Sequence, residues 1–237
     1  MKAKFTLLAM AVIVSICISY IYIINSIVEI EPPSMAGTII WHGSRKLPEV
    51  ALTFDDGPNS KATPQILDIL KKYDVKATFF VLGKFIEKNK DIISREAQEG
   101  HVIGNHTFTH ASGLITDQNK IKRELTKTND LIKKYAGQNV KYFRPPFGFE
   151  SWRFLNEAEN LGYTIILWNR DAGDWNHKTG KDIASKILKY SMNGTIILLH
   201  DGGASREAVI NSLPVVIDGL KKKGFKFVTI DEMVSHL

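Results

Sequence analysis

Residues 195–203 read TIILLHDGG: five uncharged residues, then histidine, aspartate and two glycines. A strand with one wet face alternates apolar and polar side chains. TIILL does not alternate, which is the pattern of a strand covered on both faces, as in a parallel α/β sheet. The same design recurs along the chain. VALTF (50–54) runs into Asp55-Asp56-Gly57-Pro58, and HVIGN (101–105) into His106-Thr107-Phe108-Thr109-His110. KYF is followed by Arg144-Pro145-Pro146-Phe147-Gly148, and TIILW (164–168) by Asn169-Arg170-Asp171-Ala172-Gly173-Asp174-Trp175. Charged residues thus leave the strands at their C-terminal ends, the face on which parallel α/β folds assemble their sites.

Between these runs lie amphipathic helical patterns. Strands are expected at Val50–Phe54, Ala77–Leu82, Val102–Ile103, Tyr142–Phe143, Thr164–Leu167, Thr195–Leu199 and Phe225–Thr229. Helices are expected at Thr63–Tyr73, Ile86–Gln98, Asp117–Tyr135, Trp152–Leu161, Ile183–Tyr190 and Val209–Lys222. In the third of these, Ile121, Leu125, Thr128, Leu131, Ile132 and Tyr135 recur at helical spacing. Strands alternating with helices pair in parallel through right-handed crossovers. Two topologies satisfy that rule: a doubly wound open sheet, or a barrel of the (β/α)8 kind lacking one unit.

The clusters carry chemistry. His106 and His110 are four apart, so one helical turn would align both rings. Two imidazoles and one carboxylate leave open positions on a zinc-like cation, as in a catalytic metal site; the competing interpretation is a pair of surface histidines. A cation also accounts for the doublet Asp55-Asp56. One carboxylate coordinates it, and the other stays ionised as a base towards a water whose pKa the cation lowers towards ~7. Arg144 can pair with that base or serve as a structural ion-pair partner. His200 ends an apolar strand and suits a general acid, since imidazole titrates near neutrality. Asp174 is its candidate partner; Asp201 is nearer in sequence but should point away on leaving the strand. Trp175 suits the wall of a sugar site or a place in the core.

The N-terminus differs in kind. Residues 5–28 are 24 positions without a charge, preceded by Lys2 and Lys4 and followed by Glu29 and Glu31. About 20 apolar residues span a bilayer, and the flanking lysines favour a cytoplasmic N-terminus. Residues 1–28 are therefore expected to be a transmembrane signal anchor, or a signal peptide cleaved near Ser34-Met35-Ala36, and residues 29–45 a linker. Residues 46–237 would then form an extracytoplasmic catalytic domain, membrane-held or secreted. The single cysteine, Cys17, lies in the span, so the exported part has no thiol chemistry. The chain of 237 residues carries a net charge of +6, with no basic stripe interleaved with aromatics. No nucleic-acid partner is expected, and the charge is compatible with an anionic cell-wall polymer.

Taken in order, TFDDGP, HTFTH, RPPFG, DAGDW and LLHDG resemble the signature of the polysaccharide deacetylase family, carbohydrate esterase family 4, over about residues 46–237. The resemblance implies a distorted (β/α)7-type barrel, which would settle the topology. It implies Asp55 as general base; Asp56, His106 and His110 as ligands of a divalent metal, zinc first, with cobalt in some members; Arg144 as tether of the base; and Asp174 as support of the acid His200. Leu198 and Trp175 would line the acetyl pocket, and the backbone N–H of Phe147, beside Pro146, would complete an oxyanion hole. Where the family commonly has tyrosine this chain has Phe147, which removes a hydroxyl and keeps the N–H. The implied activity is N-deacetylation of an N-acetylated glycan polymer, peptidoglycan N-acetylglucosamine above all. Alternatives are chitooligosaccharides, muramic acid, an O-acetyl (xylan-type) esterase, and a non-catalytic glycan-binding module.

Overall fold

The computed structural model describes residues 39–111, 117–148, 152–176, 179–203 and 206–237. In chain order the strands are β1 (Ile39–Ile40), β2 (Glu49–Asp55), β3 (Thr78–Val81), β4 (Val102–Asn105), β5 (Tyr142–Phe143), β6 (Thr164–Ile166), β7 (Arg170–Asp171), β8 (Thr195–His200) and β9 (Lys226–Phe227). The helices are α1 (Ala62–Lys72), α2 (Gly83–Ile86), α3 (Lys90–Gln98), α4 (Gln118–Ala136), α5 (Trp152–Asn160), α6 (Gly180–Tyr190), α7 (Glu207–Lys222) and α8 (Ile230–Ser235).

All pairings are parallel, in the order β1-β6-β5-β4-β3-β2-β8-β7, with β9 added beside the start of β2. From β2 to β6 the order advances one way without the reversal that defines a doubly wound sheet. The two outer strands β1 and β7 also approach each other through the chain itself. β6, which pairs with β1, continues through Leu167-Trp168-Asn169 into β7, which pairs with β8, and Asn169 Oδ1 accepts from Ile196 N at 2.9 Å. This curled parallel sheet, flanked by helices, fits a distorted (β/α)7 barrel.

Strand parity divides the core. Val50, Leu52 and Phe54 of β2 and Ile197 and Leu199 of β8 pack outward against Ile66, Leu67, Leu70, Leu213 and Val216 of α1 and α7. Ala51, Phe80, Tyr142, Ile166 and Ile196 form a second cluster on the opposite face, joined by Ile230 and Met233 of α8. Ile230 N donates to Thr78 Oγ1 at the first residue of β3, so α8 covers this face at the N-terminal strand ends. Each large side chain buried in this way contributes about 1.5–3 kcal/mol.

Several expectations are corrected. The stretch read as linker, residues 29–45, contributes β1. The last expected strand shortens to β9, because Thr229 instead caps α8 in a capping box with Glu232. The helix expected at Ile86–Gln98 divides into α2, a 3-10 turn at Glu87–Asn89, and α3. α4 matches its pattern, with Asp117 accepting from Asn119 N and Lys120 N, and Gly137 closing the helix at φ 69°. Among the described residues no helix is long and apolar enough to cross a membrane; the apolar span 5–28 and Ser34-Met35-Ala36 lie outside the described residues.

Candidate active site

The parity that buries Ala51 also places Thr53 and Asp55 on the same face, each one step nearer the C-terminal end of β2. In β8 the corresponding series is Ile196, Leu198 and His200, and in β5 it is Tyr142 followed by Arg144. Asp55 and His200 are register partners in neighbouring strands. Polar side chains therefore form the layer directly above the apolar cluster.

Arg144 is fully buried and Asp55 is 3% exposed. The guanidinium lies over the Phe80 ring at 4.1 Å, and Gly104 leaves the room, since a Cβ there would strike that ring. Arg144 Nη1 donates to Asp55 Oδ1 at 2.8 Å and to Thr53 Oγ1 at 2.7 Å. Its Nε and Nη2 donate to the carbonyls of Ile166 and Leu167, each at 3.1 Å. The planar fork thus fixes the rotation of the Asp55 carboxylate and supplies its countercharge, which a point-charge lysine could not do in the same geometry.

Asp56 turns away from Asp55 because its backbone adopts φ 73°. Asp56 Oδ1 lies 3.3 Å from His110 Nε2 and 3.6 Å from His106 Nε2, with His106 Nε2 also 3.8 Å from Asp55 Oδ2. The expected helical turn between the histidines is absent. Thr107 (φ 71°) and His110 (φ 68°) are left-handed, and a loop brings the rings to 5.2 Å. Thr107 Oγ1 accepts from His110 N and Ala111 N, and Glu124 Oε2 of α4 accepts from Phe108 N and Thr109 N. Glu124 is a support that sequence reasoning missed.

The donor set suits a cation. His106 Nδ1 faces the Arg144 carbonyl at 2.7 Å, so it carries the proton and Nε2 offers its lone pair. Asp56 Oδ1 is buried and has no hydrogen-bond partner among the described residues. Burial, followed by the neighbouring His106, holds the His110 pKa below its ordinary value despite Asp56, which favours the neutral ligand form. One ligand atom from each of Asp56, His106 and His110 falls within a 4.8 Å group.

On the other side, His200 Nδ1 lies 3.0 Å from Asp174 Oδ1, and His200 N donates to Asp174 Oδ2 at 3.0 Å. Burial alone would lower the His200 pKa; the bond to Asp174 and its charge outweigh burial and raise it, with Asp55 and Asp56 adding to the effect. Asp201 points away from this group, as expected, and accepts from Thr63 Oγ1. Burial is the main reason its pKa rises to about 7. Glu96 of α3 is likewise fully buried and pushed well above the carboxylate range, by burial and then by Asp201. No local pattern marked Glu96. The two segments also interlock through backbone: Asp201 N and Gly202 N both donate to the Asp55 carbonyl, and a Cβ on Gly202 would collide with Asp56.

Pro146 is buried, while Phe147 (63% exposed) and Trp175 (61% exposed) stand at the rim. Phe147 sits at φ 61° with its ring edge-on to His110 at 4.5 Å. Trp175 Nε1 donates to Asp171 Oδ2 at 3.2 Å, and Leu198 is 4% exposed below His200.

A buried carboxylate held by arginine, an aspartate-supported histidine and a His-His-Asp donor set between them make up the equipment of a metal-assisted acyl hydrolase at the strand ends of a β/α barrel. Sequence comparison narrows the class. The polysaccharide deacetylase family model matches residues 42–166, and the chain belongs to that family. It is 33% identical over 210 residues to a peptidoglycan-N-acetylglucosamine deacetylase of Bacillus cereus, covering 88% of this chain and 97% of that one. A solved peptidoglycan N-acetylglucosamine deacetylase in complex with 4-naphthalen-1-yl-N-oxidanyl-benzamide superposes with TM-score 0.80 and 38% identity, covering 83% of this chain and 92% of the other. A family 4 acetyl xylan esterase from Clostridium thermocellum, in complex with a cobalt ion, gives TM-score 0.74 and 36% identity over 78% and 90%.

Proposed function

We propose that this protein removes the acetyl group from N-acetylglucosamine residues of peptidoglycan, releasing acetate and leaving a free amine on the sugar. One observation carries the proposal: Asp55, tethered by Arg144, lies 3.8 Å from His106 of the Asp56/His106/His110 group and is the register partner of His200, itself tethered by Asp174, so a candidate base and a candidate acid adjoin that group. Similarity to peptidoglycan deacetylases supports the polymer.

Asp56, His106 and His110 would hold a divalent cation, zinc first, with cobalt or another divalent ion as alternatives. When bound, such an ion supplies Lewis acidity to the acetamide carbonyl and acidifies water. Asp55, paired with and oriented by Arg144, takes the proton from the attacking water as its oxygen bonds to the carbonyl carbon. The Phe147 N–H would bond the developing oxyanion. His200, supported by Asp174, gives its proton to the sugar nitrogen as the C–N bond breaks, so the products are acetate and amine. Leu198 and Trp175 would line the space for the acetyl methyl, and Pro146 and Phe147 would contact the sugar. Residues 46–237 act as the catalytic domain outside the membrane, with the uncharged span 5–28 as anchor or cleaved signal.

The test is acetate release from muropeptides, chitooligosaccharides and acetylated xylan by the purified protein with zinc or cobalt. Release from muropeptides with a free glucosamine amine detected by mass spectrometry is expected; release from none of the three would sink the proposal. Release from xylan alone would favour the esterase, which the acetyl xylan esterase relative keeps in view.

A further inference from the structure

We propose that Arg206 is a positioning residue for the proton donor, acting on His200 through Asp174; this rests on His200 being the general acid. The Asp174 side chain is completely buried, and that of Arg206 is 9% exposed. Arg206 precedes α7 and turns back into the site. Its Nε donates to the Gly202 carbonyl, two residues beyond His200. Its Nη1 lies 3.7 Å from Asp174 Oδ2, the oxygen that also accepts from His200 N. Gly203 makes room: it sits at φ 82°, and a Cβ there would lie 2.9 Å from Arg206 Nη2.

Two consequences follow from this geometry. With His200 N donating to Oδ2 and the Arg206 guanidinium paired with the same oxygen at 3.7 Å, the Asp174 carboxylate is held against rotation and Oδ1 stays 3.0 Å from His200 Nδ1. The charge count also changes during turnover. Before transfer, Asp174 and protonated His200 sum to zero. After His200 has given its proton to the amine, a buried carboxylate faces a neutral imidazole, and burying an uncompensated charge is costly. Arg206 supplies the missing cation, and His200 keeps Nδ1 on Asp174 with Nε2 towards the substrate. An arginine suits two diverging acceptors, a carbonyl and a carboxylate, because its donors are fixed in a planar fork.

The experiment compares Arg206→Met, Arg206→Lys and His200→Ala in the full metal-loaded chain, measuring kcat and KM for acetate release. It also follows the downfield Nδ1–H resonance of His200 by NMR. General acid catalysis is worth roughly 10²–10⁴-fold, so R206M is expected to lose about 10–100-fold in kcat with KM unchanged. R206K should recover part of that loss, and the Nδ1–H signal should broaden or vanish in R206M. A kcat in R206M within about twofold of wild type would overturn the inference, as would R206K proving no better than R206M at equal Tm. An active H200A would instead overturn the assignment of the acid. If R206M does not fold, R206K alone decides: a broadened Nδ1–H signal and lowered kcat support the inference, and wild-type values reject it.

Discussion

Replacing Arg144 with methionine would leave the Asp55 carboxylate 3% exposed and without its countercharge. Breaking a buried pair by removing one partner costs about 3–5 kcal/mol. The carbonyls of Ile166 and Leu167 would also lose donors, each worth about 1 kcal/mol. A destabilisation of roughly 6 kcal/mol is therefore expected, and with a urea slope of ~2 kcal/mol/M the midpoint should fall by about 3 M. The origin of the cost is separable. If it lies in the stranded carboxylate, adding Asp55→Asn to the methionine variant removes the charge and should restore about 2–3 kcal/mol, although the same change in wild type destabilises by stranding Arg144. Urea unfolding of the four proteins of this double-mutant cycle gives the coupling directly. A midpoint shift under ~0.5 M in Arg144→Met, or a double variant no more stable than Arg144→Met alone, would refute the assignment of Arg144 as the countercharge of Asp55.

Asp174→Asn removes the charge that most raises the His200 pKa and leaves burial, which lowers it, opposed only by the smaller effects of Asp55 and Asp56. The acid must be protonated to act, so the alkaline limb of kcat/KM should move to lower pH, as a pH-rate profile would show. Asp56→Ala, His106→Ala or His110→Ala should abolish zinc retention measured by elemental analysis, whereas Asp55→Asn should abolish turnover and keep the metal; loss of metal in Asp55→Asn would exchange the roles of the two carboxylates. Asp201 binds its proton more tightly folded than unfolded, with pKa about 7 against 3.8. Its contribution to stability therefore falls as pH rises between those values, by at most roughly 4 kcal/mol at 1.36 kcal/mol per unit. Asp201→Asn, whose amide oxygen can still accept from Thr63, should gain stability relative to wild type at pH 8 compared with pH 5 in metal-free melts; an unchanged difference would contradict the raised pKa.

How much of this was legible follows from the range of the interactions involved. Apolar runs such as TIILL and the helical spacing of Ile121, Leu125 and Ile132 are local signals, and they identified most strands and helices. The same periodicity carries an inward/outward parity, so Asp55, Arg144 and His200 at strand ends were readable as one layer. Short strands escaped: Ile39–Ile40 and Arg170–Asp171 are two residues each, too few for a period. The terminal helix α8 escaped because its Thr229 cap reads equally well as the end of an apolar strand.

The sequence by itself determined a parallel β/α architecture, the face on which its polar residues gather, and the residue types available there, because periodicity and strand-end composition act within a few residues. Only the tertiary structure decided the partners. Asp174, 26 residues away, supports His200 while adjacent Asp201 does not, because β7 pairs with β8 and the outward parity of Asp201 turns it towards Thr63. Left-handed backbone at Asp56, Thr107 and His110, rather than a helical turn, closes the Asp56/His106/His110 group, and Arg206 reaches Asp174 from the start of α7. Such pairings depend on the register of strands distant in sequence and on loop dihedrals set by long-range hydrogen bonds, which no local pattern encodes.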